Sequence, residues 1–440
     1  MIKGCNRFGV CVFVFVSFLV VSVMAVAQEN RIDIISSDAP ILAKYGDYPV
    51  GVRTLVFTDS GRVDVLNTTE EDPPVIYDRS LTVEIWYPAH LREGEEPGEE
   101  YEAITRNPKI TATLIGQALR EAAPAQGEEN FPLIVISHGY PGNRYLLSPL
   151  GENLASKGYV VVSIDHKDST YEDQQHIKST FYNRPLDQRF IIDSMGELNS
   201  TGGFLSGMID MDNTGVVGYS MGGFGLVNNL GGGFNEAVVN SFGAPPQGLL
   251  AQHVSTDSRY RGGLDGRIKA GFAIAPWGME RGFWNELDLA GISVPTFYLA
   301  GSKDTTAGYE NGVRAIFEAA INSERYLLTY VDAGHNAGAP YPVPVEILAS
   351  ETREGADHYS DPVWDNVRMN NIMNHFATAY FNLVLKRDRS MQKFLDVISR
   401  GDQGVHSKTS GAVSPEHNYW EGFPEGSASG LILEKLEAIR

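Results

Sequence analysis

The pentapeptide GYSMG at residues 218–222 constrains the fold and the chemistry of this chain more than any other stretch. It directly follows the β-branched pair Val216–Val217. In the pattern G-x-S-x-G, a serine occupies the tip of a tight turn from a strand into a helix, and the two glycines remove side chains that would collide there. The N-terminal end of that helix suits a developing oxyanion. The pattern predicts that Ser220 is a nucleophile; the alternative is a chance match in a glycine-rich chain.

Apolar runs alternate with helical stretches along most of the chain. The predicted strands are residues 51–59, 81–89, 131–139, 158–166, 268–277, 294–304 and 325–335, together with the strand that leads to Ser220. The predicted helices are residues 148–157, 185–198, 309–320 and 364–386. Residues 93–102 are acidic and contain glycine and proline, so they are predicted to be a solvated loop. Repeated strand-helix units imply an α/β fold, with a mostly parallel central sheet and helices on both faces.

Two segments interrupt this alternation. Residues 230–266 lie between the helix after Ser220 and the next strand, and residues 336–361 follow the last strand of the series. Long irregular segments near the carboxyl ends of such strands often cover a ligand crevice. Both segments are therefore candidate cap insertions, and peripheral insertion is the alternative for each.

Residues 1–27 have the pattern of a secretory signal peptide. A basic start and an apolar run at residues 10–23 precede the small-x-small pattern Ala25-Val26-Ala27. We therefore expect export to the periplasm or the extracellular medium, with residues 28–440 forming a single catalytic domain. A membrane anchor that stays attached is the alternative.

Composition excludes several kinds of chemistry. Both cysteines, Cys5 and Cys11, lie within the expected signal peptide, so residues 28–440 hold no disulfide, thiol nucleophile or cysteine metal site. No H-E-x-x-H pattern or clustered His/Asp spacing occurs, which argues against a metal, and no cofactor is expected. The formal net charge of −20 disfavours nucleic acid and anionic lipid as partners.

A nucleophilic serine needs a base and a group that orients the base. In α/β-hydrolases these partners follow the chain order serine, acid, histidine. Of the ten histidines, only His335 follows a late apolar strand within a loop of small residues. His138 is expected to be a structural or oxyanion-loop residue, because it precedes the serine strand. His166 is expected to pack or hydrogen-bond at its strand end.

Asp304 is the predicted acid. It ends the strand before the one that leads to His335, which leaves room for one helix and one strand between them. An aspartate at a strand end can instead cap a helix, although nearby threonines could serve that need. Glu280 and Asp332 are weaker candidates for the acid.

Two backbone N–H groups are predicted to form the oxyanion hole. One belongs to Met221, the residue after the nucleophile. The other lies in the loop HGYPGN, residues 138–143, where Pro141 has no N–H to donate and Tyr140 is the natural donor. The Tyr140 ring and Trp277 are also expected to line the substrate pocket, with plain core packing as the alternative for Trp277.

A set of ordered motifs resembles known serine hydrolases. HGYPGN, GYVVVSIDHKDS, NRPLDQRFIID and VVGYSMGG are similar to the group of platelet-activating-factor acetylhydrolases and dienelactone-hydrolase-like proteins. The similarity runs from about Gly51 to His335. The later motifs APWG, VPTFYLAGSKDTTAG and DAGH look more like bacterial cutinase-type polyester hydrolases. In that group the aspartate after the penultimate strand and the following histidine complete the triad, which implies Asp304 and His335.

Two departures bear on the substrate. The acetylhydrolases carry their acid in a stretch similar to AIAPW, where this chain has Ala275 and Pro276, so the cutinase-like placement at Asp304 is favoured. True dienelactone hydrolases use a cysteine where this chain has Ser220, so a dienelactone substrate is not implied.

The combined prediction is an exported serine hydrolase that cleaves carboxylic esters through an acyl-enzyme. Its expected substrate is a small-molecule or lipid-like ester, without stable membrane insertion after the signal is cleaved, and the oligomeric state is open. An amidase or peptidase using the same three residues is the alternative. A further alternative is a catalytically silent binding protein with the hydrolase fold.

Overall fold

A computed structural model describes residues 29–125, 130–409 and 412–439. The predicted signal peptide, residues 1–27, lies outside the described residues and stays a prediction. The strands are β1 (Asn30–Arg31), β2 (Val50–Val63), β3 (Ile76–His90), β4 (Glu100–Ile104), β5 (Thr111–Ile115), β6 (Ala118–Arg120), β7 (Ala123–Pro124), β8 (Phe131–Ser137), β9 (Val160–Asp165), β10 (Ile209–Tyr219), β11 (Ile268–Ile274), β12 (Thr296–Gly301), β13 (Arg325–Tyr330), β14 (Lys408–Thr409), β15 (Ala412–Val413) and β16 (Leu431–Leu436).

Helices connect most of these strands. The α-helices are α1 (Ser148–Ala155), α2 (Ile177–Ser200), α3 (Met221–Asn229), α4 (Ser258–Gly262), α5 (Glu286–Leu289), α6 (Ala315–Ala319), α7 (Val345–Ala349) and α8 (Asn366–Val384). A π-helix, Tyr309–Arg314, leads into α6. The short 3-10 helices are Ile41–Ala43, Glu236–Val238, Pro246–His253, Met279–Arg281, Ala356–Tyr359, Arg389–Phe394 and Gly401–Gln403.

One large sheet organises the molecule, with the strand order β16-β13-β12-β11-β10-β8-β9-β3-β2-β6 and β7 paired to β3. The strands from β13 to β9 in this order are parallel. Antiparallel pairs flank them, with β3 on β9 and β2 on β3 at one side and β16 on β13 at the other. The predicted mostly parallel α/β sheet is confirmed. Two small sheets, β1-β5-β4 and β14-β15, lie apart from it.

Helices cover both faces of the sheet. α1 packs with α8, and α2 packs with α3. A Cβ on Gly215 of β10 would lie 2.8 Å from Phe381 of α8, whereas a Cβ on Gly218 would lie 2.4 Å from the Gly222 carbonyl oxygen of α3. Residues three apart in a strand point to opposite faces, so the two helix pairs lie on opposite sides. Burial on both faces explains the continuous apolar strands, such as β8, in which every residue is buried.

Several element boundaries differ from the sequence prediction. α2 begins at Ile177, so Pro185 lies inside the helix instead of opening it. The added turns bury Tyr182 and Arg184, and this packing outweighs the missing N–H of the proline. The predicted loop at residues 93–102 ends at β4, whose residues alternate between exposed and buried.

The topology places three predicted site residues at one edge of the sheet. β10, β12 and β13 are parallel and lie in the central part of the same sheet. Ser220, Asp304 and His335 each follow the carboxyl end of one of them. Ligands in open α/β sheets bind at this edge.

Candidate active site

Ser220 occupies the predicted tight turn between β10 and α3. Its backbone has φ 52° and ψ −111°, a region that L residues rarely adopt. A Cβ on Gly222 would lie 1.9 Å from the Ser137 carbonyl oxygen. A Cβ on Gly218 would collide with the Gly222 carbonyl oxygen, at 2.4 Å. Both glycines are therefore required by close backbone approach, as the motif indicated.

Backbone hydrogen bonds hold this strained residue in place. The Ser220 N–H donates to the carbonyl of Ile274 at 2.9 Å. The Ser220 carbonyl accepts from the N–H of Phe224 at 2.9 Å and from that of Trp277 at 3.2 Å. The turn is thus fixed by α3 on one side and by the segment after β11 on the other.

Ser220, His335 and Asp304 form one continuous hydrogen-bonded chain. The Ser220 Oγ lies 3.0 Å from His335 Nε2, and His335 Nδ1 lies 2.8 Å from Asp304 Oδ2. With Asp304 ionised, Nδ1 must carry the proton, which leaves Nε2 free to accept the proton of the serine hydroxyl. Ser220 is only 7% exposed, so this chain lies in a water-poor setting.

The Asp304 carboxylate is held in its charged form. Burial alone would raise its pKa, but the hydrogen bond and charge of His335 and the N–H groups of Ala307 and Thr306 outweigh burial and lower the pKa. The two N–H groups donate to Asp304 Oδ1 at 2.8 Å (Thr306) and 3.0 Å (Ala307). The same side chain therefore caps the turn after β12 through Oδ1 and orients the histidine through Oδ2.

The loop that carries His335 has its own supports. The Tyr219 ring lies 5.3 Å from the His335 ring, and the Tyr219 hydroxyl donates to Asn336 Oδ1 at 3.0 Å. The Gly334 N–H donates to Asp361 Oδ2 at 2.7 Å. Asn336 Nδ2 donates to the carbonyls of Asp357 and Ser360, so this end of segment 336–361 packs beside the histidine. Sequence reasoning did not identify Tyr219, Asn336 or Asp361.

The weaker candidates for the acid lie elsewhere. Glu280 and Asp332 are exposed. His335 Nδ1 is already bonded to Asp304. His138, the first residue of the loop at residues 138–143, and His166, just after β9, are fully buried.

The two residues predicted to supply the oxyanion hole flank Ser220. Met221 is the first residue of α3. Tyr140 follows Gly139, and a Cβ on Gly139 would lie 3.3 Å from the Ser220 Cβ, so the loop passes directly against the serine. The Tyr140 hydroxyl donates to the Gln175 carbonyl, which fixes the half-buried ring across the loop.

An aromatic cluster adjoins the serine. Trp277 is half-buried and stacks on Phe181 of α2 at 5.8 Å with 15° between the ring planes. Phe283 and Phe224 complete the cluster on its buried side. The backbone N–H of Trp277 donates to the Ser220 carbonyl, so Trp277 lies beside the serine, where a wall of the substrate pocket would be.

Segment 230–266 packs on the α2–α3 side. The Phe234 ring stacks on Phe224 of α3 at 4.7 Å, and His253 Nε2 lies 2.9 Å from the Tyr182 carbonyl of α2. Gln247 bonds the carbonyls of Thr69 and Asp72. The role of segment 230–266 as a cap stays a prediction.

A buried polar network lies behind the loop at residues 138–143. His166 Nε2 lies 2.8 Å from Ser137 Oγ, and His166 Nδ1 lies 3.0 Å from Asp187 Oδ2. Burial and the charge of Arg184 lower the pKa of His166 to about 3, so this imidazole is neutral. Burial opposes the ionisation of Asp187, yet the paired Arg79 and the bond from His166 keep its pKa well below the usual range.

Two features are absent from the part of the chain that the structure describes. In residues 29–125, 130–409 and 412–439, no three or more His, Cys, Asp or Glu side chains are grouped to hold a metal ion. Within the same ranges, no helix has the length and apolar character needed to cross a membrane.

Comparison with known proteins bears on the family and the fold. The family model for platelet-activating factor acetylhydrolase, isoform II, matches residues 38–194, which is less than half of the chain and ends before Ser220. The dog (Canis lupus familiaris) platelet-activating factor acetylhydrolase is 38% identical over 65 residues, 14% of this chain and 15% of that protein. Cutinase est1 of Thermobifida alba is 26% identical over 174 residues, 40% of this chain and 43% of that protein.

A ferulic acid esterase from Streptomyces cinnamoneus has a similar structure, with a TM-score of 0.56 and 18% identity. The match covers 93% of this chain and 100% of that one, and at this identity it bears on the fold alone. The predicted resemblance to platelet-activating-factor acetylhydrolases and cutinases is confirmed, as is the α/β-hydrolase fold.

Proposed function

We propose that the protein is a serine hydrolase that cleaves carboxylic esters. The observation that carries this proposal is the hydrogen-bonded chain from Ser220 Oγ through His335 to Asp304, with bonds of 3.0 and 2.8 Å. The relatives named above, an acetylhydrolase and a cutinase, support ester hydrolysis as the reaction.

In the proposed mechanism, Ser220 Oγ attacks the ester carbonyl carbon while His335 Nε2 takes the hydroxyl proton. Asp304 holds the imidazole in the required tautomer and stabilises the imidazolium that forms. The N–H groups of Tyr140 and Met221 bind the oxyanion, each worth on the order of 3 kcal/mol in the transition state.

His335 then passes its proton to the leaving alcohol, which leaves an acyl group on Ser220. Water, deprotonated by His335, attacks this acyl-enzyme and releases the acid. The aromatic wall of Trp277 and Phe181 favours an apolar substituent beside the reacting carbon, in keeping with a small-molecule or lipid-like ester.

We further infer that residues 28–440 form a single catalytic domain, because one sheet draws strands from Val50 to Leu436. Residues 1–27 would direct its export and be removed. Amino-terminal sequencing of the exported protein is expected to start at Gln28, and a start at Met1 would contradict cleavage.

The test of the activity is hydrolysis of p-nitrophenyl esters from acetyl to decanoyl by the purified protein. We expect turnover that is lost in Ser220→Ala, with an optimal chain length that measures the acyl pocket. Activity on amides but not on esters would favour an amidase. A folded protein inactive on both would favour a silent binding protein.

A further inference from the structure

One face of α2 is polar although it is buried. Arg184, Asp187 and Gln188 are each at most 1% exposed, and their spacing puts them on the same side of the helix. Gln188 Nε2 donates to the Gly222 carbonyl of α3 at 2.9 Å. This face of α2 therefore contacts the start of the helix that carries the proposed oxyanion donor Met221.

Arg184 contacts the other oxyanion element. Its Nη1 donates to the His138 carbonyl, and its Nη2 donates to the Gly139 carbonyl at 3.3 Å. Nη2 also donates to Ser169 Oγ at 2.5 Å. The guanidinium thus spans two successive carbonyls of the loop that passes against Ser220.

The charge of this guanidinium is not neutralised by direct pairing. In the described part of the chain, Arg184 forms no ion pair within 4.0 Å, whereas Arg79 takes both oxygens of Asp187. Burial lowers the pKa of Arg184 to about 9, with Asp187 opposing and Arg79 assisting that shift. The pKa stays above neutrality, so Arg184 is a cation at neutral pH, held mainly by backbone carbonyls.

The Gly139 carbonyl and the Tyr140 N–H are the two ends of one trans peptide unit. The carbonyl and the N–H point in opposite directions in the peptide plane. A hydrogen bond that draws the Gly139 carbonyl toward Arg184 therefore turns the Tyr140 N–H away from Arg184. His138 Nδ1 lies 2.7 Å from the same carbonyl oxygen. Hydrogen bonds at the carbonyl end polarise a peptide and strengthen donation at its N–H end.

The second oxyanion donor is arranged in the same way, but with neutral partners. The Ser220 carbonyl and the Met221 N–H share a peptide unit, and that carbonyl accepts the N–H groups of Phe224 and Trp277. Of the hydrogen bonds that these two carbonyls accept, the one from Arg184 to the Gly139 carbonyl comes from a positively charged side chain.

We propose that Arg184 is a positioning residue for oxyanion stabilisation, which orients and polarises the Gly139–Tyr140 peptide through its carbonyl. This inference rests on the proposed function. Arg184 touches neither the substrate nor the reacting atoms. Its contribution is confined to the transition state, because only there does the substrate oxygen carry the charge that the Tyr140 N–H stabilises.

The test compares an ester with its thiono analogue, p-nitrophenyl acetate with O-(p-nitrophenyl) thionoacetate, on the purified full chain. Sulfur accepts hydrogen bonds weakly, so a thionoester gains less from an oxyanion hole. For Arg184→Met we expect kcat on the ester to fall about 100-fold with KM within about twofold. The ratio of the ester rate to the thionoester rate should fall as well.

The matched control is Arg189→Met. Arg189 lies on the same helix, is half-buried, and donates to the Gly263 carbonyl away from the loop. We expect this variant to keep both rates within about twofold of the wild type. Circular dichroism and the urea midpoint of each variant establish that it is folded.

Two results would overturn the inference. One is an unchanged kcat in Arg184→Met. The other is a lower kcat with an unchanged ratio of ester to thionoester rates, which would make Arg184 a merely structural residue. A wild type inactive on both substrates would instead count against the proposed function.

Arg184→Lys keeps the test decisive if Arg184→Met does not fold. A lysine retains the charge but has one ammonium group in place of the planar fork that spans the two carbonyls. We expect about a tenfold lower kcat and a smaller rate ratio. An unchanged ratio in this variant would equally overturn the proposal.

Discussion

At Asp304, burial and hydrogen bonding act in opposite directions on the carboxyl group. Burial raises its pKa, and the contacts with His335, Ala307 and Thr306 lower it by more. A carboxyl group whose pKa is lower in the folded protein stabilises the fold above its unfolded pKa of about 3.9. That stabilisation is lost as the pH falls through the folded pKa.

Asp304→Asn separates these effects. An amide can present its N–H to the histidine, which favours the wrong tautomer, so kcat on a p-nitrophenyl ester should fall about 10⁴-fold with the fold intact. The wild type should be the more stable protein at neutral pH. Its advantage in the free energy of unfolding should shrink below about pH 4, because the carboxylate becomes protonated there.

Asp332→Asn is the matched control, since Asp332 is an exposed aspartate close to His335 in sequence. It should leave kcat unchanged. Full activity in Asp304→Asn, or a loss confined to Asp332→Asn, would show that the acid has been assigned to the wrong residue.

The roles of some single residues were open to prediction, and those of others were not. Ser220 and His335 stand out because each follows an apolar strand and has glycine or alanine residues close by in the sequence. Arg184 lies in NRPLDQRF, a motif that carried the family resemblance, but its partner His138 is 46 residues away. A contact at that separation depends on how α2 packs, which no local pattern encodes.

At the scale of elements, the turn between β10 and α3 depends on how closely three backbone segments approach. The end of β8, the serine turn and the first turn of α3 meet at Gly222. A side chain there would have to displace the Ser137 carbonyl, which belongs to a central strand of the sheet and cannot move without disturbing its neighbours.

Gly222→Ala should therefore destabilise the protein by about 3 kcal/mol, the upper part of the usual range for overpacking. The urea midpoint of unfolding measures this effect. Gly262→Ala is the control, because a Cβ there meets no atom within 4 Å. That variant should be as stable as the wild type or slightly more so. Equal midpoints for the two variants would contradict the close approach.

Elements buried on both faces were the easiest to predict. Every residue of β8, β12 and β13 is buried, and most of these residues are apolar, because helices cover both sides of the sheet. β4 and β5 were missed because they are short strands with alternating exposure. The start of α2 was wrong because Pro185 was expected to open the helix. The packing of the residues before Pro185 instead keeps the helix continuous from Ile177.

At the scale of the whole molecule, the sheet brings together residues that are far apart in sequence. β16, near the end of the chain, pairs antiparallel with β13, the strand that leads to His335. Arg314 and Glu434 join the π-helix to β16 through two hydrogen bonds. The sequence predicted the parallel centre of the sheet, but not this edge. A six-residue segment such as β16 is recognised as a strand only through its pairing with β13.

Covalent labelling tests whether Ser220 is the nucleophile of an ester hydrolase. The protein is treated with one equivalent of an alkyl fluorophosphonate, and intact-protein mass spectrometry and peptide mapping follow the loss of esterase activity. We predict one adduct per chain, on Ser220, with activity lost in proportion to labelling and no adduct in Ser220→Ala. Esterase activity that survives complete labelling, or an adduct on another residue, would show that Ser220 is not the nucleophile.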